Sequence, residues 1–191
     1  MAVVLAGSAL AGCAGKEAVE PARGNDKRYI EGAGIEETFA PADRLAAPDV
    51  SGTLLDGDRL KLDSLRGNVV VLNFWASWCP PCRAEADALE QVHRENKARG
   101  VAFVGVAIKD GRSTANSFVR VHGVTYPSYY DQPGRIPQSF SRTLPPNATP
   151  STLILDRSGR IAVRVLGPVK YRQLQQLVDQ VAAEPAPGAG A

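Results

Sequence analysis

From Val69 to Trp75 the chain reads Val-Val-Val-Leu-Asn-Phe-Trp, and Cys79 and Cys82 follow almost at once. A run so apolar and so rich in β-branched residues does not alternate. It predicts a strand buried on both faces, and such a strand needs other layers above and below it. The stretch from Arg83 to Arg99 supplies one of them. Ala86, Leu89 and Val92 recur there at helical spacing, and Gly100 stops the helix. Val101 to Ile108 is a second buried strand. A strand–helix–strand crossover makes the two strands parallel neighbours in one sheet.

The flanking segments extend this pattern. "SGTLLDGDRLKL" reads as a hairpin turning at Asp56-Gly57, and "DSLRG" as a short helical turn. Ser113 to His122 reads as a helix with Phe118, Val119 and Val121 as its apolar side. "TPSTLILD" and "RIAVRVLG" form a second hairpin around Asp156-Arg157-Ser158-Gly159. Tyr171, Leu174, Leu177, Val178 and Val181 form the stripe of a last helix. The result is an α/β domain over residues 47–183, with a central mixed sheet, helices on both faces and an added N-terminal hairpin. Residues 13–46 are rich in Ala, Gly, Pro and Glu and read as a flexible tether. Residues 184–191 read as a disordered tail. "DQPGRIPQSFSRTLPPNATP" is either a rim beside Pro150 that selects partners or an irregular loop, and its composition favours the loop.

Three cysteines in 191 residues cannot all pair with one another. The opening "MAVVLAGSALAGC" is apolar and small, too short to span a bilayer, and reads as a signal over residues 1–12. Leu10-Ala11-Gly12-Cys13 resembles the bacterial lipobox, which implies cleavage before Cys13 and a diacylglycerol on its thiol. The alternative is a plain tail with an incidental cysteine. A lipidated Cys13 leaves two cysteines for a pair and puts that pair outside the cytoplasm, where a disulfide persists. The formal net charge is only +2 and no basic run is long, which argues against a nucleic-acid face.

The Cys79–Cys82 pair could be a metal clip, a structural staple or a redox couple. Structural zinc needs four ligands, and His93 and His122 do not stand at zinc-ligand spacing from the pair, so no metal is expected. Both histidines read as surface residues. A staple closing so short a loop removes little unfolded-state entropy. The redox reading uses the position well. Cys79 ends a strand and enters a helix, where free backbone N–H groups and the helix dipole stabilise a thiolate. Pro81 suits a first helical position. Cys82 faces Cys79 from the first turn. Trp78 flanks the pair as an accessible surface, whereas Trp75 reads as core. On the residues alone, Pro150 is a strand-entry proline, and Glu85 either complements the dipole or handles a proton.

"FWASWCPPC" resembles the thioredoxin active site. The wider pattern, with "SLRGNVVVLNFWASWCPPC" and "TPSTLILDRSGRI", resembles the TlpA/ResA-like branch of that family, extracytoplasmic thiol-disulfide oxidoreductases. The resemblance implies the thioredoxin-like fold, Cys79 as nucleophile and Cys82 as resolving thiol. It implies a cis-proline at Pro150, which presents backbone to the substrate together with Thr149. Trp78, Pro80 and Pro81 would complete the substrate-facing surface. Thioredoxin itself carries an acid where Asn73 stands. The ResA-like branch instead has a glutamate one turn after its second cysteine, and Glu85 matches it. No cofactor is implied. The expected partners are disulfides of exported proteins such as apocytochrome c, a membrane thiol donor, and the membrane itself through the anchor; a monomer is expected. A disulfide-inserting oxidant or isomerase is the alternative on the same site. A thiol peroxidase would need Thr or Ser at Ala76 and Pro at Leu72, and a non-enzymatic binding module would leave the pair idle.

Overall fold

The computed structural model describes residues 34–145 and 148–185. Cys13 and the expected signal lie outside the described residues, as does the tail beyond Pro185. Among the described residues, eight strands and four α-helices follow in order: β1 Ile35–Thr38, β2 Ser51–Thr53, β3 Arg59–Lys61, β4 Val69–Trp75, α1 Pro80–Asn96, β5 Val101–Ile108, α2 Arg112–Val121, β6 Ser128–Asp131, α3 Arg135–Ser139, β7 Ser151–Leu155, β8 Ile161–Leu166 and α4 Tyr171–Ala182. Short 3-10 turns stand at Pro41–Asp43, Leu62–Leu65 and Lys97–Arg99.

The main sheet has the order β1-β8-β7-β4-β5-β6, with β2 and β3 forming a separate hairpin. β4 pairs in parallel with β5 and antiparallel with β7. It thus lies inside the sheet, and every one of its residues is buried. Its alternate side chains feed two cores. Val69, Val71 and Trp75 point to the face closed by α1, α2 and α4, where Leu89, Phe118 and Leu174 pack. Val70, Leu72 and Phe74 point to the other face, closed by the hairpin and by the α3 segment through Leu54, Phe140 and Leu144. Trp75 stacks on Phe118 with ring centroids 4.3 Å apart. A Cβ on Gly105 of β5 would stand 2.6 Å from the Trp75 indole nitrogen, so only glycine fits beside that ring.

Several boundaries differ from the sequence expectation. α1 begins at Pro80 rather than Arg83, because Cys79 is its N-cap and both prolines enter its first turn. Gly100, at φ 72°, ends the helical stretch in the left-handed conformation. The tether expected as far as residue 46 is corrected: Ile35–Thr38 pairs with β8 as an edge strand. Arg44 then anchors the segment that follows, bonding Asp156 at 3.0 Å and Glu184 at 2.6 Å. Its hydrogen bond to Glu184 also ties down the first residue of the expected tail. The loop expected around 131–150 contains α3. The Asp131 carboxylate accepts the N–H groups of Arg135 and Ile136 at 3.0 and 2.8 Å and so starts that helix. No helix among the described residues is long and apolar enough to cross a membrane.

Candidate active site

The two cysteines sit where β4 hands the chain to α1. They form a disulfide, with Cα atoms 5.3 Å apart. The Cys79 sulfur is also the helix cap, accepting the Cys82 N–H at 3.2 Å. A sulfur in that position lies at the positive end of the α1 dipole. Cys82 and Glu85 are three residues apart on α1 and share its inward side. Trp78, just before the pair, is 56% exposed, which makes it the most open aromatic beside the disulfide.

The loop that carries Cys79 is held from three directions. The Ser77 N–H donates to Asp110 Oδ2 at 2.6 Å. The Trp78 indole N–H donates to the Lys109 carbonyl at 3.0 Å. The Arg83 guanidinium donates to the Ser77 carbonyl at 2.7 Å. Asp110 is buried, and its other oxygen accepts the Thr114 hydroxyl at 2.6 Å. Burial alone would raise its pKa. The hydrogen bonds from Thr114, Ser77 and Gly111 outweigh that and hold the carboxyl below its usual value.

Beneath the pair lies Glu85, only 1% exposed. Its Oε1 accepts the Asn73 side-chain N–H and its Oε2 the Val169 backbone N–H, both at 2.9 Å. Asn73 also reaches Thr152 Oγ1 at 3.1 Å, which joins the carboxylate to β7. Burial pushes the Glu85 carboxyl up to about 7, and the two donors keep it from rising further. A group with that value exchanges its proton near neutral pH.

The Thr149–Pro150 bond is cis. Pro150 is buried, and its carbonyl accepts the Gly167 N–H at 2.9 Å. Thr149 is half-buried, and its own backbone N–H and C=O bond to no described residue. The structure thus gathers Trp78, Cys79, Pro80, Pro81, Cys82 and Glu85 on one strand–helix junction, with Thr149 and Pro150 at the start of the neighbouring β7.

The surface position expected for His93 is corrected. The ring is buried between Phe103 and Tyr126, because it continues the Ala86–Leu89–Val92 side of α1. Burial lowers its pKa. His122 caps α2 and lies 3.6 Å from Asp87. No cluster of three or more His, Cys, Asp or Glu among the described residues is arranged to hold a metal ion. Asp110 and Lys109 join the site without standing out in the sequence. An acid directly after a buried strand and before a Ser-Thr helix start is the signal available for Asp110.

The AhpC/TSA family model matches residues 44–164. The thiol-disulfide oxidoreductase ResA of Bacillus cereus is 24% identical over 135 residues, covering 71% of this chain and 76% of that protein. The thioredoxin-like protein YneN of Bacillus subtilis is 30% identical over 135 residues, covering 70% of this chain and 76% of its own. Among solved structures, a secreted thiol-disulfide isomerase from Corynebacterium glutamicum superposes with a TM-score of 0.74 at 33% identity, covering 78% of this chain and 92% of the other. With the fold, the Cys79–Cys82 disulfide and these likenesses in agreement, the chain belongs to the AhpC/TSA family, as a thioredoxin-like thiol-disulfide oxidoreductase of the TlpA/ResA type.

Proposed function

We propose that this oxidoreductase works outside the cytoplasm, anchored to the membrane through Cys13, and reduces disulfides of exported proteins, apocytochrome c among them. One observation carries the reading: Glu85, a buried carboxyl that titrates near pH 7, lies one turn from the resolving cysteine. The Cys79 thiolate attacks a substrate disulfide, forming a mixed disulfide and releasing one substrate thiolate, which takes a proton from water. Cys82 gives its thiol proton to Glu85. The Cys82 thiolate then attacks the Cys79 sulfur, expels the second substrate sulfur as a thiolate, which takes up a proton from Glu85 or water, and closes the Cys79–Cys82 disulfide. A membrane thiol donor returns two electrons by the reverse exchange. Thr149, Pro150, Trp78, Pro80 and Pro81 form the surface on which the substrate backbone lies during this exchange.

The Bacillus cereus relative is a thiol-disulfide oxidoreductase, which supports the exchange chemistry. The Corynebacterium glutamicum protein is secreted, which supports the compartment. It is also an isomerase, which favours a second reading: the same pair reshuffling or donating disulfides. The equilibrium reduction potential of the Cys79–Cys82 couple separates the two. A value near or below roughly −250 mV supports the reductant. A value between roughly −180 and −120 mV overturns it in favour of the isomerase or oxidant.

A further inference from the structure

Just before β1, the chain grips the connection between β8 and α4. The Gly34 N–H donates to the Pro168 carbonyl at 2.6 Å. The Gly34 carbonyl accepts the Gln173 side-chain N–H at 3.1 Å, and the same amide donates to the Glu36 carboxylate at 3.0 Å. The two backbones meet closely. A Cβ on Gly34 would stand 2.8 Å from the carbonyl oxygens of Leu166 and Gly167, and one on Gly167 would stand 3.2 Å from the Gly34 Cα. Backbone atoms have no rotamer with which to give way, so a side chain at residue 34 would push the connection aside.

That connection holds two parts of the redox site. The Gly167 N–H donates to the Pro150 carbonyl, and the Val169 N–H to Glu85 Oε2, both at 2.9 Å. Pro168 stands between these two donors in the chain. Gln173 is buried in the first turn of α4, yet its Oε1 meets no donor among the described residues. A buried amide oxygen without a partner costs stability. An apolar side chain there would avoid that cost, so what the amide supplies is its hold on Gly34 and Glu36.

We propose that Gly34 and Gln173 are positioning residues: through Gly167 to Val169 they hold the Glu85 carboxylate and the Pro150 carbonyl in place, and so set the pH range in which Cys82 can lose its proton. The kinetic part rests on Glu85 as the acceptor of that proton. When the hold loosens, the Val169 N–H no longer stabilises the charged carboxylate, and the carboxyl titrates above its value of about 7. Less of it is then ionised at neutral pH, and resolution slows. The surrounding groups leave that sign intact. Asn73 from β4 and Thr152 from β7 are neutral. Cys79 and Cys82 are joined in the oxidised protein. Tyr126 senses the Glu85 charge, but burial pushes its hydroxyl well above the usual value and keeps it neutral. Glu36 is bonded to the Gln173 amide, and Lys170 follows Val169 at an exposed position.

The test uses the full-length chain with carbon-13-labelled glutamate. The Glu85 carboxyl carbon is identified by its absence from Glu85→Gln, and its shift against pH in the oxidised protein gives the carboxyl midpoint. Gly34→Ala and Gln173→Leu are each expected to raise that midpoint by about half a unit or more. Each is also expected to lengthen the lifetime of the Cys79 mixed disulfide with a peptide substrate by about twofold or more at neutral pH. Arg44→Ala releases the same N-terminal segment at its other end and is expected to keep the wild-type midpoint in spite of its lost stability. Gln173→Leu adds no bulk at the Gly34 backbone contact, so it carries the test if Gly34→Ala does not fold. A midpoint unmoved by Gln173→Leu, or by a folded Gly34→Ala, overturns the proposal. An equal rise in Arg44→Ala also overturns it, because lost stability would then be the cause. A wild-type mixed-disulfide lifetime that does not follow the carboxyl titration overturns Glu85 as acceptor and the kinetic part with it, and the carboxyl midpoints still decide the positioning.

Discussion

Asn73 and Glu85 meet in the space between β4 and α1, the amide donating to the carboxylate at 2.9 Å. The neutral amide stands where thioredoxin has an acid, and the acid stands on the helix. Here the titrating group stands on the helix, and the strand residue is its donor. The Val169 N–H holds the second oxygen at 2.9 Å, so the carboxylate is fixed both from β4 and from the connection between β8 and α4.

Glu85 makes stability depend on pH in a stated direction. Below its ordinary value of 4.5 the carboxyl is protonated in both the folded and unfolded chain. From there to about 7 the unfolded chain releases its proton first, so stability falls as pH rises. Above that the loss is complete, on the order of 3 kcal/mol from the shift. Glu85→Gln is expected to remove this slope, gaining on the wild type as pH rises from 4.5 to about 7. Urea denaturation of both oxidised proteins across that interval checks it, and parallel curves would refute the buried proton.

The same substitution should slow the closing step. With the proton acceptor gone, the mixed disulfide on Cys79 resolves about a hundredfold more slowly at neutral pH. Quenched-flow trapping followed by mass spectrometry reads that lifetime directly.

Asn73→Asp tests the donor. Two carboxylates would then share one buried site and could not both ionise. The variant is expected to be destabilised by at least about 1 kcal/mol at pH 8, with the deficit shrinking toward pH 5. Thermal unfolding at the two pH values measures it; a pH-independent deficit would mean that the two groups do not interact.

Asp110→Ala removes the acceptor of the half-buried Ser77 N–H, while the exposed Thr114 hydroxyl keeps the Gly111 carbonyl. The expected loss of stability is about 1 kcal/mol. Because the same contact steadies the loop before Cys79, alkylation of the reduced Cys79 thiol should also shift its pH midpoint relative to wild type. Iodoacetamide rates against pH report that shift separately from stability.

Arg44→Ala removes a buried guanidinium that bridges Asp156 and Glu184. The buried Asp156 loses a partner, and Arg160 at 3.2 Å compensates it only in part. A loss of roughly 3 kcal/mol is expected. An unchanged denaturation midpoint would mean that residues 34–46 are not integral to the domain.

β4, β5, β7 and β8 are legible in the sequence because each is a short apolar run bounded by turn residues. β1 is not, because Ile-Glu-Glu-Thr is polar and lies on an edge, with Ile35 60% exposed. Nor is β6, since Ser128–Asp131 is too short to show a period. The cysteines are legible from their spacing at the strand–helix junction, whereas Glu85 is singled out by the resemblance, because on the residues alone a first-turn glutamate serves equally as a complement to the dipole. The Asn73–Glu85 contact is hidden, since it joins a strand to a helix, and the Val169 donor is 84 residues away. The charged sequence neighbours of His93 point to the surface, whereas the helical period sets it on the inward side of α1.

The register of β1 has a directional consequence. Ile35 pairs with Leu166, and the Gly34 N–H donates to the Pro168 carbonyl at 2.6 Å, beside the Gly167 that bonds Pro150. The described part of the chain therefore starts at the end of the sheet where the disulfide sits. Arg44 and Glu184 lie at the far end, beyond the β7–β8 turn. Were Cys13 the mooring proposed above, its tether would join the described body on the side of the disulfide, the side a donor in the bilayer would have to reach.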